Sequence, residues 1–414
     1  MRFNILSKGK NETVNHEGAK AFTLSPEMEL YSATVTTMLT DANYEKADAR
    51  LKRIKELVPL VKPDFAAKLA LYLRKKMYLR TAPVVLTTEL AKVHNGDGLV
   101  SKTVTNIVER PDEIMELLAY YQLSNKRKGA KKLNKISKQV QKGLAAAFNK
   151  FDEYQFAKYD RATEIKLRDV LFLVHPKAKD EAQQAIFDKI VKNELATPYT
   201  WETELSALGQ QKFESEAFKK AAFKAKWEEL IESGKLGYMA TLRNLRNMLE
   251  AEVSVTHVQK ICAYLSNEKA VLNSKQLPFR FLAAYRELKE VHSGYVSMVL
   301  NALEEAITWS VANLKGFDED TKVVVACDVS GSMQQPVSAK SKVLLYDIGL
   351  LLGMLLQSKC KNVITGMFGE RWKTVALPSK NILANVDAFY KREGEVGYAT
   401  NGYLVIYDLM SRGY

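Results

Sequence analysis

The pattern of apolar and polar positions changes character near residue 320. Upstream, apolar residues recur at helical spacing behind Pro-Asp pairs, as in 64–76, where Phe65, Leu69 and Leu73 fall on one face. Proline suits the first turn of a helix, and an acidic neighbour suits the helix dipole. A second start, Pro111-Asp112, follows 48 positions after the first, close to the roughly 40–47 residues of a HEAT-type helical pair. The pattern predicts a mainly α module of helical repeats, and two copies leave an irregular all-helical domain as the alternative.

Downstream, short apolar runs alternate with amphipathic stretches. They predict a strand at 322–327, a helix over 342–357, strands at 362–367 and 372–377, and helices over 382–390 and 403–410. Alternation of this kind is typical of a parallel or mixed sheet covered by helices. The sequence therefore predicts a mainly helical protein that ends in an α/β domain.

The loop after the first of these strands carries the clearest candidate chemistry. It reads Asp328-Val329-Ser330-Gly331-Ser332, and α/β sheets place ligand sites at the carboxyl ends of their strands. One carboxylate and two hydroxyls at alternate positions can converge on a hard cation such as Mg²⁺, which prefers oxygen ligands. The alternative is an ordinary turn, because Asp, Ser and Gly are also common in turns and helix caps.

The D-x-S-x-S spacing resembles the metal-ion-dependent adhesion motif of von Willebrand factor A domains. The resemblance implies Mg²⁺ or another divalent cation, and an acidic side chain of a partner protein as its last ligand. The implied ligands in this chain are Asp328, Ser330, Ser332 and, from a later loop, Thr400. A domains also have a further strand ending in aspartate, and the residues up to Tyr414 include none, so we expect a C-terminally truncated domain.

Composition points to a polyanionic partner. The formal net charge is +13, in a chain whose residues are 47% hydrophobic. Residues 126–150 carry nine Lys or Arg and no acidic residue, and such a patch binds nucleic acid through counterion release. The candidates for phosphate contact in this segment are Lys126, Arg127, Lys128, Lys131, Lys132, Lys135, Lys138 and Lys142. The alternative is an exposed basic helical face without a specific partner.

Several segments resemble one family. The segment Leu-Arg-Asn-Leu-Arg-Asn-Met at 242–248 is similar to an L-L-R-N-L segment of the TROVE-module proteins, the family of the Ro 60 kDa autoantigen and its bacterial relatives. Leu277-Pro278-Phe279 and the residues behind it resemble that family's P-F-x-x-L-x-A segment, and 158–177 resembles its run of K-Y, D-L-L and H-x-K-P. The similarity extends from roughly residue 25 to Thr400.

The resemblance implies a ring of HEAT-like helical repeats over 25–318, preceded by a polar N-terminal arm, 1–24, and followed by a partial von Willebrand factor A-type domain, 319–414. It implies non-catalytic binding of RNA: single-stranded 3′ ends of misfolded RNA in a central hole, Y-type noncoding RNA on the outer surface, and an exoribonuclease tethered through RNA. The implied contacts are Lys158, Arg161, Lys166 and Arg168 on the outer surface, and Arg243 and Arg246 beside the hole. Vertebrate members have a histidine where this chain has Leu167, which puts recognition of Y-type RNA in question.

No enzymatic constellation emerges from the sequence. The five histidines form no H-E-x-x-H cluster, and no G-x-x-x-x-G-K-[ST] loop occurs, so we expect no catalytic activity. The remaining alternative is a metal-dependent protein-adhesion or scaffold module in which RNA binding is lost or incidental.

The expected location is the cytoplasm, with no membrane partner. Cys262, Cys327 and Cys360 are scattered without C-x-x-C spacing, which is typical of buried thiols in a reducing compartment. The N-terminal apolar stretch is too short for a signal peptide, and no apolar run reaches the length of a membrane span.

Overall fold

The computed structural model describes residues 12–14, 18–35, 47–125, 136–160, 163–313, 317–337 and 341–414. The chain divides into two compact units, Met1–Pro198 and Tyr199–Tyr414. Each unit has its own apolar core. Within the described ranges, no helix is both long and apolar enough to cross a bilayer.

The first unit is almost entirely helical. Two short exposed strands, β1 (Glu12–Val14) and β2 (Lys20–Phe22), pair antiparallel inside the predicted N-terminal arm. The helices that follow are α1 (Pro26–Val35), α2 (Ala47–Leu57), α3 (Pro63–Lys75), α4 (Thr81–Val93), α5 (Leu99–Ile107), α6 (Pro111–Ser124), α7 (Lys138–Phe148), α8 (Glu153–Tyr159), α9 (Leu167–Val174) and α10 (Glu181–Lys192).

Both predicted Pro-Asp helix starts are confirmed, since α3 begins at Pro63 and α6 at Pro111. A buried ion pair joins the two helices. The Arg74 guanidinium donates to both carboxylate oxygens of Glu113, at 2.8 and 3.1 Å, and its Nε donates to the Ile107 carbonyl oxygen at the end of α5. Such a pair is costly to desolvate, so its net contribution to stability is small. Its main effect is to favour the packing of these particular helices.

The second unit combines helices with a small sheet. Its helical part consists of α11 (Trp201–Gly209), α12 (Glu216–Glu232), α13 (Tyr238–Arg243), α14 (Leu245–Glu250), α15 (Val255–Leu265), α16 (Glu268–Ser274), α17 (Phe279–Lys289) and α18 (Val296–Ser310). Its α/β part consists of β3 (Lys322–Asp328), α19 (Leu345–Lys359), β4 (Asn362–Phe368), β5 (Trp372–Thr374), α20 (Ile382–Tyr390) and α21 (Tyr403–Ser411).

The sheet is mixed, as predicted, with the strand order β3-β4-β5. Strands β3 and β4 are parallel, in a register that pairs Lys322 with Asn362, and β5 is antiparallel to β4. The predicted strand at 372–377 is too long, because β5 ends at Thr374. Beyond it the chain turns toward α19, whose Gln357 side chain donates to the Leu377 carbonyl oxygen at 2.7 Å.

The helix predicted to begin at 342 begins at Leu345 instead, because the preceding residues form their own turn. Val337 N–H donates to the Val343 carbonyl oxygen at 3.0 Å, and Leu345 N–H donates to the Gln335 carbonyl oxygen at 2.9 Å. The Asp347 carboxylate then accepts a hydrogen bond from Leu344 N–H at 2.8 Å and caps the helix.

All three cysteines are free and buried, as predicted. Burial raises the pKa of the Cys262 thiol to about 11 and that of Cys327 to about 12. Thiols of this kind are poor nucleophiles, so they serve as small core residues.

Helix α19 packs closely on β3 and so supports the loop that follows β3. Substitutions at two glycines of α19 can test this packing. A Cβ atom on Gly353 would lie 2.6 Å from Val325 Cγ1, whereas one on Gly349 would meet nothing within 4 Å. We expect Gly353→Ala to lower the free energy of unfolding by about 1–3 kcal/mol through overpacking. The control Gly349→Ala should be neutral or stabilising by about 0.5–1 kcal/mol. Urea unfolding followed by circular dichroism measures both, and equal stability of the two variants would contradict this packing.

Candidate RNA-binding surfaces and cation loop

The basic segment 126–150 contains both exposed and structurally engaged cations. Candidates 126–135 lie outside the described residues. Lys138 and Lys142 are exposed one turn apart on α7, opposite its buried face. Lys150, in contrast, donates to the carbonyl oxygens of Thr105 and Val108 at the end of α5, and burial lowers its pKa. Part of the basic segment therefore stabilises a helix end.

The candidates of the predicted outer surface lie on or beside α8 and α9. Lys158, Lys166 and Arg168 are exposed, and none of them forms an ion pair with another described residue. Arg161 lies outside the described residues. Leu167 is fully buried in the core of the first unit, so the position where vertebrate relatives have a histidine is an apolar core position here.

A second basic site brings together two of the segments that carry the family resemblance, 242–248 and the one that begins at Leu277. Helices α13 and α14 face α17 across a cleft of about 530 Å³. Arg243, Arg246 and Asn247 line one side, and Arg280 and Glu287 line the other. The sequence did not single out Arg280, because it comes from a separate helix and reaches this cleft only through the fold.

The L-R-N-L-R-N segment folds so that its arginines face outward. Asn244 is buried between α13 and α14, and its side chain donates to the Ala240 carbonyl oxygen at 2.9 Å and accepts from the Asn247 amide at 2.9 Å. The first bond satisfies a backbone carbonyl oxygen near the end of α13, and the second joins the two asparagine side chains. Leu242 and Leu245 are buried, which leaves Arg243 and Arg246 on the exposed side.

The arginines of the cleft differ in how far their charge is neutralised. Arg246 donates to Glu250 at 2.8 Å and to Glu287 at 3.4 Å, and these carboxylates raise its pKa. In the part of the chain that the structure describes, Arg243 and Arg280 have no carboxylate partner, and Arg280 lies 5.1 Å from the Phe279 ring. Arg243 and Arg280 are therefore the free cations of this cleft.

The D-x-S-x-S loop follows β3, and its candidate ligands lie close together. The Asp328 carboxylate accepts a hydrogen bond from Ser330 N–H at 2.9 Å, and the hydroxyl oxygens of Ser330 and Ser332 are 3.2 Å apart. Ser330 is buried and Ser332 is exposed. The loop thus presents a carboxylate and two hydroxyls at the carboxyl end of a strand.

Two further loops pack against this one. Val329 N–H donates to the Phe368 carbonyl oxygen at 3.2 Å, and Gly331 N–H donates to the Tyr398 carbonyl oxygen at 3.0 Å. A Cβ atom on Gly369 would lie 1.9 Å from the Gly397 carbonyl oxygen, so only glycine allows these loops to approach each other. Thr400 lies two residues after Tyr398 and is exposed.

The residues present fit a hard cation better than a soft one. Asp328, Ser330 and Ser332 supply oxygen atoms, as Mg²⁺ requires, and Mg²⁺ retains several waters when few carboxylates bind it. Among the residues that the structure describes, no group of three or more His, Cys, Asp or Glu side chains could hold a metal ion. Asp408 does not supplement the set, because its carboxylate accepts from Trp372 Nε1 at 3.0 Å and from Arg412 at 2.9 Å.

The cleft and the cation loop belong to one packed unit. Arg286 of α17 donates two hydrogen bonds of 2.7 Å to Asp347, the fully buried carboxylate that caps α19. Glu304 of α18 accepts hydrogen bonds from the N–H groups of Leu383 and Ala384 and so caps the neighbouring helix α20. The sequence did not reveal the first of these contacts, because Arg286 and Asp347 are 61 positions apart.

Comparison with known proteins places this fold and these segments in a family. The TROVE domain matches residues 13–221 and 191–318, which together cover more than half of the chain. The chain belongs to the TROVE domain family. The predicted family membership is confirmed, and members of this family are RNA-binding proteins.

Relatives of this TROVE-family chain include telomerase protein component 1 from Rattus norvegicus and from Mus musculus. Each is 24% identical over an alignment of 349 positions, and the match covers 64% of this chain and 13% of the relative. The chain therefore spans about an eighth of the length of these curated relatives.

A solved structure supports the fold. The crystal structure of the Deinococcus radiodurans RO (RSR) protein superposes on this TROVE-family chain with a TM-score of 0.63, covering 91% of this chain and 81% of that one at 17% identity. The predicted fold class, a mainly helical module followed by an α/β part, is confirmed. The boundaries predicted at 24/25 and 318/319 stay predictions.

The Arg286–Asp347 pair should matter far more to stability than its neighbours. We expect Arg286→Met to lower the free energy of unfolding by about 3–5 kcal/mol, because it leaves a buried carboxylate unpaired. Lys289→Met is the matched control, since Lys289 contacts the less buried Asp387 at 2.6 Å and its loss should cost about 1 kcal/mol or less. Urea unfolding measures both, and similar losses in the two variants would be inconsistent with the assigned role of Asp347.

Proposed function

We propose that this protein binds RNA without catalysing a reaction, and that the cleft between α13, α14 and α17 receives an unpaired 3′ end. The observation that carries the proposal is the pair Arg243 and Arg280. These two cations face one cleft without a carboxylate partner among the described residues. Guanidinium groups bind phosphate oxygens through directed, charge-assisted hydrogen bonds.

The shape of the site favours a single strand. A cleft of about 530 Å³ is within the range of small-ligand sites, roughly 300–1,000 Å³, and is too small for a duplex. A flexible single strand can place a nucleotide there, whereas bases inside a helix stay stacked and paired. The 3′ polarity and a central channel around the cleft rest on the family resemblance.

The surface around α8 and α9 supports a second RNA site. Lys158, Lys166 and Arg168 are exposed there without ion pairs to other described residues. In the proposal this surface binds structured noncoding RNA of the Y type, which regulates access to the first site. A nuclease tethered through the bound RNA and a cytoplasmic location complete the proposal, and both rest on resemblance.

The second candidate function is metal-dependent protein adhesion, and the assembled D-x-S-x-S loop favours it. Asp328, Ser330 and Ser332 would hold Mg²⁺ or another divalent cation, with Thr400 from the neighbouring loop. When bound, the cation would supply a coordination position for an acidic side chain of a partner protein. The two functions are compatible, because the cleft and the loop use different residues.

Removing charge from the cleft should weaken RNA binding selectively. We expect Arg243→Gln to reduce the affinity for a duplex with a single-stranded 3′ tail by about tenfold, because a charge-assisted hydrogen bond is worth roughly 1.5–3 kcal/mol. The slope of log K against log salt should fall by about 0.7, the contribution of one phosphate contact on a single strand. Fluorescence anisotropy across a salt series gives both quantities.

Arg246→Gln is the matched control, since Arg246 lies in the same segment and is already paired with Glu250 and Glu287. It should have the smaller effect on affinity. If Arg243→Gln leaves the affinity and the salt slope at their original values, the cleft is not the site of the tail.

Divalent cation binding should depend on the one carboxylate of the loop. We expect Asp328→Asn to weaken Mn²⁺ binding by more than about tenfold, because hard cations bind charged oxygen ligands more tightly than neutral ones. Glu319→Gln is the control, since Glu319 precedes β3 and pairs with Lys361 at 3.0 Å. Electron paramagnetic resonance of free Mn²⁺ measures the affinity, and unchanged binding by Asp328→Asn would exclude this loop as the cation site.

A further inference from the structure

Two aromatic side chains of α8 and α9 lie on the surface although neither helix needs them for its core. Tyr154 is 45% exposed and Phe172 is 47% exposed. The core contacts of α8 come from Phe156, which is fully buried, and those of α9 come from Leu167 and Val170. Covering a large aromatic ring lowers the free energy of the system, so exposed rings that recur in the same setting on neighbouring helices are candidates for contact with a ligand.

Each of these rings has a cation one helical turn away. Lys158 Nζ lies 5.7 Å from the centre of the Tyr154 ring, and the Arg168 guanidinium lies 5.5 Å from the centre of the Phe172 ring. Residues four apart on a helix share a face. The two helices therefore present the same pair, an exposed ring beside an exposed cation, and both pack on α6.

The acidic residues near these pairs are mostly engaged elsewhere. Asp152 caps α8 by accepting from Gln155 N–H at 2.7 Å, and Asp169 caps α9 by accepting from Lys166 N–H at 3.0 Å. Glu153 accepts from Lys189 at 2.7 Å. Burial raises the pKa of the Asp160 carboxyl, and the nearby Lys166 opposes this shift. The carboxylates thus stabilise the fold, while the cations beside the rings stay available to a ligand.

We propose that Tyr154 and Phe172 stack against unpaired nucleobases of RNA, with Lys158 and Arg168 contacting the adjoining phosphates. The inference rests on the proposed RNA binding. It specifies the ligand of the second RNA site, on α8 and α9, as unpaired bases in loops or bulges of a folded RNA. A ring can stack on any base, and a neighbouring cation neutralises the phosphate that joins two bases.

The available charge favours RNA over a protein as the ligand. A protein surface that covered Tyr154 and Phe172 would have to pair or desolvate Lys158, Lys166 and Arg168 as well, and unpaired buried charges are costly. A phosphate backbone supplies negative charge at every nucleotide. Regular duplex would contact only the cations, because its bases are not available for stacking.

Two RNAs separate stacking from general electrostatic attraction. One is a blunt-stemmed hairpin with a long unpaired loop, and the other is the same stem as a blunt duplex. Neither offers a single-stranded 3′ end, so the Arg243 cleft does not contribute to the comparison. Tyr154→Leu and Phe172→Leu remove a ring and keep an apolar side chain, Tyr154→Phe keeps the ring, and Lys158→Met removes a neighbouring charge.

We expect each leucine variant to bind the hairpin about tenfold more weakly, the effect of losing roughly one base–aromatic stack, with the slope of log K against log salt unchanged. Duplex affinity and the affinity of Tyr154→Phe should stay at the original values. Lys158→Met should lower the salt slope for both RNAs. Unfolding midpoints of the variants confirm that the fold is retained, since both rings are exposed.

Two results would overturn the stacking proposal while leaving RNA binding intact. One is hairpin affinity unchanged in both leucine variants. The other is an equal loss for hairpin and duplex, which would indicate a general change in the surface. If the unaltered protein bound neither these RNAs nor one with a single-stranded tail, the proposed function would fail together with this inference.

Discussion

The ion pair between Arg286 and Asp347 joins α17 to α19. Both candidate sites of the second unit depend on these two helices. Asp347 is fully buried, and it also caps α19, the helix that packs on β3 behind the D-x-S-x-S loop. Arg286 lies on α17, the helix that supplies Arg280 to the basic cleft. A buried carboxylate with two hydrogen bonds to one guanidinium tolerates little displacement, because any shift leaves charge unpaired at low dielectric.

In the folded chain, some of the excess basic residues form structural contacts, and others remain exposed. A net charge of +13 indicates an anionic partner without identifying the residues that meet it. Lys150 is engaged at the end of α5, and Arg246 is paired with two glutamates. Arg243 and Lys158, in contrast, are exposed and have no carboxylate partner among the described residues. Some of the structural contacts come from groups distant in sequence, such as Glu287 for Arg246 and the Thr105 carbonyl oxygen for Lys150, so charge density along the chain does not reveal the distinction.

What could be predicted from the sequence was local. The Asp328 loop was predicted because a strand and the loop that follows it are contiguous, and the start of α3 because proline and aspartate act within a single turn. Contacts made by tertiary packing could not be predicted from one sequence. Arg280 faces Arg243 only once α17 packs on the L-R-N-L-R-N segment. The early end of β5 has the same origin, since Gln357 of α19 hydrogen-bonds to the chain beyond it.

The most direct test of RNA recognition compares the unaltered protein with three RNAs across a salt series: a duplex with a single-stranded 3′ tail, the same duplex with blunt ends, and the same duplex with a 5′ tail. Fluorescence anisotropy gives the affinities. Tighter binding of the 3′-tailed duplex, by about tenfold and still present at moderate salt, is the predicted result, because in the proposal the unpaired 3′ end reaches Arg243 and Arg280, which a blunt end does not. Equal and steeply salt-dependent binding of all three RNAs would contradict the account and leave only a general polyanion-binding surface.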